Sequence, residues 1–136
     1  MNESLRVTVI RGKMKYQSTR NLTQEEYLLA KWLLENGNGQ ARDFLGQLED
    51  AEATTWKCEC GCASFNFKIR GMTLAEPGVT ILSDYVFGSE ENMAGVFIFS
   101  SGGILKGLEV YGLAGDAPAR LPEPSELVPM EENQNV

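Results

Sequence analysis

Three cysteines are the residues of this chain whose types and spacing are best suited to chemistry. Cys58, Cys60 and Cys62 occupy every second position of C-E-C-G-C. In an extended strand this spacing places Cys58 and Cys60 on one face, and Gly61 lets the chain turn so that Cys62 swings back towards them. Three thiolates suit zinc, which would take its fourth ligand from a carboxylate, a water or another chain, because the sequence contains no histidine.

Two other roles for these cysteines stay open. The C-x-x-C spacing of thiol redox motifs is absent, and an odd number of cysteines does not close into a disulfide framework. A structural role requires only small apolar side chains packed at a tight hairpin and kept reduced. We prefer the structural role, with zinc binding and thiol redox chemistry as the alternatives.

Two carboxylates in predicted strands form a second candidate site. Asp84 lies in a predicted strand among the apolar residues of I-L-S-D-Y-V, and Glu109 lies two residues before Tyr111 in G-L-E-V-Y. A carboxylate in a covered strand needs a partner and acquires a shifted pKa. The cations considered as partners are Arg70, Lys68 and Lys106. No two carboxylates have a defined separation, so we assign no acid–base pair and no catalytic residue, and the enzyme question stays open with a preference for no.

The charge of the chain restricts its partners. A net charge of -7 disfavours nucleic acid and favours a basic protein partner. One basic patch lies near the N-terminus around Tyr16 and would suit a phosphate or an acidic partner, although solvated basic residues are common on any surface. Its members are Arg11, Lys13, Lys15 and Arg20.

The sequence shows neither a membrane-spanning run nor a nucleotide-binding motif. No apolar run approaches the roughly 20 residues of a spanning helix, and the N-terminus has no apolar export core. These patterns predict a cytoplasmic protein without membrane association. The chain also carries neither G-x-G-x-x-G nor a Walker loop.

Two helices are predicted in the first half of the chain. Thr23 and Glu26 form a capping-box pattern at the start of the first helix, and Gly37 is expected to end it in the left-handed conformation. Apolar residues then recur at helical spacing over residues 41–48. These elements predict a helical hairpin, preceded by a short strand over residues 5–10.

Strand patterns follow from residue 54 onwards. A hairpin is predicted with strands over residues 54–60 and 64–70, and three more strands near residues 79–87, 93–100 and 104–113. We therefore predict an α+β fold in which the N-terminal helical hairpin packs on a four- to five-stranded, mainly antiparallel meander sheet. Residues 1–115 would form this single domain, and residues 116–136 a Pro/Glu-rich tail that is partly disordered.

Three short motifs carry a resemblance to known proteins. These are T-Q-E-E at residues 23–26, C-G-C-A-S at residues 60–64, and G-G-I-L-K-G-L-E-V-Y-G at residues 102–112. The chain resembles small bacterial domains of unknown function and is similar to immunity proteins of toxin systems. The resemblance implies an α+β fold in the bacterial cytoplasm and transfers no catalytic residue.

Two functional hypotheses follow from these features. The first is a non-catalytic protein-interaction module, of which an immunity-type inhibitor is one form. The second is a small zinc-binding or thiol-redox domain that uses the three cysteines. A homodimer is a further expectation, either through an edge strand or through an aromatic surface of Phe65, Phe67, Phe97 and Phe99.

Overall fold

An antiparallel sheet organises the chain. The computed structural model describes the backbone of residues 3–10 and 13–129 and the side chains of residues 18–129. Within this part, eight strands form one sheet in the order β1-β2-β3-β4-β7-β6-β5-β8, with every described pair antiparallel. The strands are β1 (Glu3–Ile10), β2 (Lys13–Asn21), β3 (Ala51–Thr54), β4 (Phe65–Ile69), β5 (Thr80–Phe87), β6 (Ala94–Ser101), β7 (Ile104–Gly112) and β8 (Val128–Pro129).

The α+β class is confirmed, but the sheet is larger than predicted. Two meanders, β1 to β4 and β5 to β7, join where β4 pairs with β7, and β8 adds an edge next to β5. The sequence pattern revealed neither β2 nor the edge strand β8. Pairing of β8 with β5 explains why a short part of the proline-bearing tail has strand structure.

The first helix begins as its sequence predicts. In α1 (Gln24–Glu35) the Thr23 hydroxyl accepts a hydrogen bond from the Glu26 N–H at 3.0 Å. The Glu26 carboxylate accepts from the Thr23 N–H at 2.9 Å and binds the Arg20 guanidinium at 2.8 Å. These contacts satisfy two backbone donors at the helix start and fix α1 to the end of β2.

The predicted left-handed stop at Gly37 is wrong. Asn36 caps α1, and Gly37 lies outside the left-handed region. A Cβ at Gly37 would overlap the carbonyl oxygen of Leu82 and the Cβ of Ala41. Gly37 is therefore required for close packing of the helix end against β5.

The predicted helical hairpin is also incorrect. Residues Ala41–Phe44 form a 3-10 turn that continues into the single-turn helix α2 (Leu45–Leu48). From the end of this segment, Gln47 donates to the Gly103 carbonyl at 2.9 Å and accepts from the Leu105 N–H at 2.8 Å. Contacts with the β6–β7 turn thus hold a segment too short to be stable as an isolated helix.

The core lies between these helical segments and one face of the sheet. α1 packs against β5 and β6, while α2 lies against β7. Apolar side chains from both layers are fully buried, among them Leu29, Leu33, Leu34, Leu48, Val96, Ile98, Leu105 and Leu108. None of the helices in the described part of the chain is long and apolar enough to cross a membrane.

The expected aromatic surface does not form. Phe65 and Phe67 are each only 3% exposed and belong to the core under the helices. Phe97 is half-buried, and Phe99 is buried. Alternation along the strands turns the β4 aromatic side chains towards the helices, so the four rings do not share one exposed face.

Candidate functional site

The three cysteines lie in a loop that joins two paired strands. β3 and β4 pair as a hairpin, but residues 55–64 between them have no strand structure. We call these residues the cysteine loop. The prediction that Cys58 and Cys60 share one face of a strand is therefore wrong, because β3 ends at Thr54, four residues before the first cysteine.

The cysteine loop nevertheless brings the three thiols together. The Sγ atoms of Cys58, Cys60 and Cys62 all lie within 4.8 Å of one another. Those of Cys58 and Cys60 are 2.7 Å apart, longer than a disulfide bond of about 2.05 Å, and all three cysteines are free. The group is thus close enough to hold a metal ion.

Backbone contacts give the cysteine loop its shape. Gly61 has a φ of 84°, and its N–H donates to the Cys58 carbonyl at 3.1 Å. This left-handed residue, which favours glycine, reverses the chain between Cys60 and Cys62. After the turn, the Ala63 N–H donates to the Pro118 carbonyl at 3.1 Å, so the tail also holds the loop.

Ser64 connects the cysteine loop to the sheet. Ladder pairing of β4 with β7 begins at Phe65, which lies opposite Leu108, and the Ser64 hydroxyl bonds to the backbone of Val110, two residues further along β7. The hydroxyl accepts from the Val110 N–H at 2.9 Å and donates to the Val110 carbonyl at 3.3 Å. It also accepts from the Cys62 thiol at 3.2 Å, so one side chain joins a thiol to β7.

Neighbouring groups give the thiols different acidities. A hydrogen bond with Cys58, followed by one with Cys62, raises the pKa of Cys60 to about 11. Partial burial opposes ionisation of Cys62, but its hydrogen bonds with Ser64 and Cys60 outweigh burial and lower the pKa of Cys62 to about 7. Cys62 therefore ionises at a lower pH than Cys60.

Cavities border the cysteine loop on two sides. One, of about 840 Å³, lies between the loop, the start of α1 and the tail, with Cys58 and Cys62 in its wall. The other, of about 440 Å³, is lined by all three cysteines together with Trp56, Glu109 and Tyr111. Cys58 and Cys62 thus line both cavities, whereas Cys60 lines only the smaller one.

The expected cationic partners of Asp84 do not contact it. Its carboxylate accepts a hydrogen bond from the Tyr111 hydroxyl at 3.2 Å, across the sheet from β7 to β5. Burial raises the pKa of Asp84, although the Tyr111 hydrogen bond opposes the shift. Burial and the nearby Asp84 charge raise the pKa of Tyr111 to about 12.

The three cationic residues considered as partners of the strand carboxylates contact other groups. Arg70 contacts the carboxylates of Asp50 and Glu52, while Lys68 and Lys106 donate to backbone carbonyls. Glu109 is exposed, and its backbone lies opposite Phe97 of β6. Of the polar candidates, Glu109 and Tyr111 therefore line a cavity with the cysteines, whereas Asp84 reaches this region only through Tyr111.

The predicted basic patch is described only in part. Arg11 and the side chains of Lys13, Lys15 and Tyr16 lie outside the described residues. Arg20 is described, and its guanidinium binds both oxygens of the Glu26 carboxylate at 2.8 Å. Its charge is thus paired with a carboxylate at the start of α1.

Ser64 is the site residue that the sequence analysis missed. A serine two positions after Cys62 is an ordinary pattern, and its role depends on where β4 stops pairing with β7. No sequence signal available from this single chain marks that position.

Comparisons with known proteins identify no relative. No family model matches the chain, and neither a curated protein nor a solved structure matches it. The resemblance to toxin-immunity proteins and the bacterial origin stay predictions.

Proposed function

We propose that this protein binds a thiophilic metal ion, with Zn²⁺ as the ion it takes, through Cys58, Cys60 and Cys62. The observation that carries the proposal is the convergence of the three Sγ atoms within 4.8 Å of one another in a single loop. Thiolates are the soft ligands that zinc prefers, and three of them form most of a tetrahedral site.

Only a small adjustment would be needed to fit the ion. Zinc–sulfur distances of about 2.3 Å in a tetrahedron separate the sulfur atoms by about 3.8 Å. Cys58 and Cys60 would move apart from their present 2.7 Å, which side-chain rotation can supply because both lie in a loop. The Gly61 turn keeps Cys62 beside them.

The fourth ligand would come from water or another molecule. The chain has no histidine. Among the residues that the structure describes, no carboxylate joins the three cysteines in their cluster of potential metal ligands. Three protein ligands with one exchangeable position are typical of catalytic and transfer sites, whereas structural zinc sites have four protein ligands.

Native mass spectrometry of the reduced protein with Zn²⁺ tests the proposal. We expect one bound ion per chain and protection of the thiols from alkylation, because coordinated thiolates are poor nucleophiles. Replacement of all three cysteines by serine should abolish binding, while Glu59→Gln, an exposed change in the same loop, should preserve it. A metal-free mass with three alkylated thiols after zinc addition would contradict the proposal.

A second candidate function is protein interaction, including the immunity-type inhibitor. Trp56, in the cysteine loop, is 49% exposed, and exposed tryptophans are enriched at interfaces. The net charge of -7 supports a basic partner.

Affinity capture from the native host at low and high salt tests this second candidate. We expect a basic protein whose retention weakens with salt and with Trp56→Ala. Capture that is unchanged in the Trp56→Ala variant, or the recovery of no basic protein at low salt, would count against it.

A further inference from the structure

The placement of the cysteines within one loop limits what a bound ion can do for the fold. Structural zinc sites commonly join two ligand pairs from separate segments, and metal binding then contributes to the free energy of folding. Here all ligands come from residues 58–62, and an ion would close only this short stretch. Since the same three thiols are neighbours in the unfolded chain, that chain should also bind zinc.

Other contacts already hold the cysteine loop in place. Its first residue, Thr55, donates from its N–H to the Ser18 carbonyl at 3.3 Å, and Ser64 at its other end bonds to Val110. Neither the core cluster nor the residues packed against it include any of the three cysteines. The contacts that hold the sheet and its core together thus do not run through the three cysteines.

The cysteine loop also leaves an ion accessible to an incoming ligand. Cys60 is exposed, while Cys58 and Cys62 are half-buried. Two cavities, of about 840 Å³ and 440 Å³, are lined by cysteines of this loop and leave room for an incoming ligand beside them. A new ligand can thus reach the ion before an existing ligand leaves, which is the requirement for direct exchange.

We propose that the cysteine loop carries Zn²⁺ as exchangeable cargo and passes it by direct ligand exchange to an acceptor that presents thiolates. This inference rests on the metal-binding function proposed above. In each exchange step, an acceptor thiolate donates an electron pair to zinc. One cysteine sulfur leaves with its own pair and takes a proton from water. Zinc keeps its 2+ charge, so the transfer needs neither an oxidant nor a reductant.

The kinetics of zinc transfer test this proposal on the intact, reduced protein. The zinc-loaded protein is mixed with a fluorescent apo zinc-finger peptide that offers two cysteines and two histidines, at increasing peptide concentration. Direct exchange predicts a transfer rate proportional to peptide concentration. A rate independent of peptide concentration shows that zinc dissociates first, and it overturns the proposal. The Glu59→Gln variant should transfer zinc in the same concentration-dependent way, because Glu59 is exposed and is not a ligand.

Urea unfolding with and without saturating zinc provides the second readout. We expect zinc to raise the midpoint by no more than binding about 100-fold tighter to the folded chain would give, because the unfolded chain retains the local ligand set and lacks only the contact with Ser64. A larger rise of the midpoint would identify a structural ion and overturn the cargo proposal while leaving metal binding intact. A protein that takes up no zinc at all would instead overturn the proposed function, so the two failures are distinguishable.

Discussion

Replacement of Ser64 by alanine should weaken both the fold and the metal site. The Ser64 hydroxyl is bonded to the Val110 N–H, the Val110 carbonyl and the Cys62 thiol. Val110 is only 2% exposed, so water cannot readily replace the lost hydroxyl. An unsatisfied buried N–H costs about 1–3 kcal/mol, and we expect the free energy of unfolding of Ser64→Ala to fall by this amount.

The same substitution should lower zinc affinity. When Cys62 binds zinc as a thiolate, it no longer donates to Ser64, and the hydroxyl proton can turn towards the sulfur. Loss of such a hydrogen bond to a metal ligand typically weakens binding about 10- to 100-fold. Ser64→Thr keeps the hydroxyl and should recover most of the affinity.

Two measurements separate these effects. Urea unfolding of the zinc-free, reduced protein gives the stability, and competition with a chromophoric chelator gives the zinc affinity. Cys62→Ala is the matched control, because it removes a metal ligand but leaves the Ser64 bonds to Val110 in place. We expect this variant to lose affinity with a stability change within about 0.5 kcal/mol. If the Ser64→Ala variant kept the stability and the zinc affinity of the wild-type protein, the role assigned to the Ser64 hydroxyl would be refuted.

Three further predictions follow from the local geometry. Gly37→Ala should destabilise the protein by about 1–3 kcal/mol in urea unfolding, because its Cβ would overlap backbone, whereas Gly39→Ala, with nothing within 4 Å, should be nearly neutral. In the zinc-free protein, iodoacetamide should alkylate Cys62 with a pH midpoint near 7 and Cys60 near 11, as resolved by peptide mapping, and coincident midpoints would contradict the hydrogen-bond assignment. Burial opposes ionisation of Glu26, but its hydrogen bonds with Arg20 and the Thr23 N–H lower its pKa below 4.5. Its stabilising effect is therefore fully present above pH 4.5 and is lost as the pH falls, and urea unfolding of Glu26→Gln between pH 3 and 7 should show a weaker dependence on pH.

The residue types of the candidate site and the convergence of its thiols were predictable, but the element that carries them was not. The spacing of Cys58, Cys60 and Cys62 indicated a convergent thiol cluster, and the Gly61 turn has the predicted effect. The strand expected to carry Cys58 and Cys60 was wrong, because alternation of side chains in a short segment does not distinguish a strand from an extended loop. Strand structure there would require a neighbour to pair with, and β3 pairs with its neighbours only as far as Thr54.

The sequence by itself determined the features that depend on neighbouring residues. The capping box of Thr23 and Glu26 and the tight turn at Gly102 and Gly103 follow from side-chain and backbone chemistry within four residues. Tertiary structure alone decided that β7 pairs with β4 and that Ser64 bonds to Val110. These contacts join residues more than 40 positions apart, and their register depends on how the whole sheet packs against its helices.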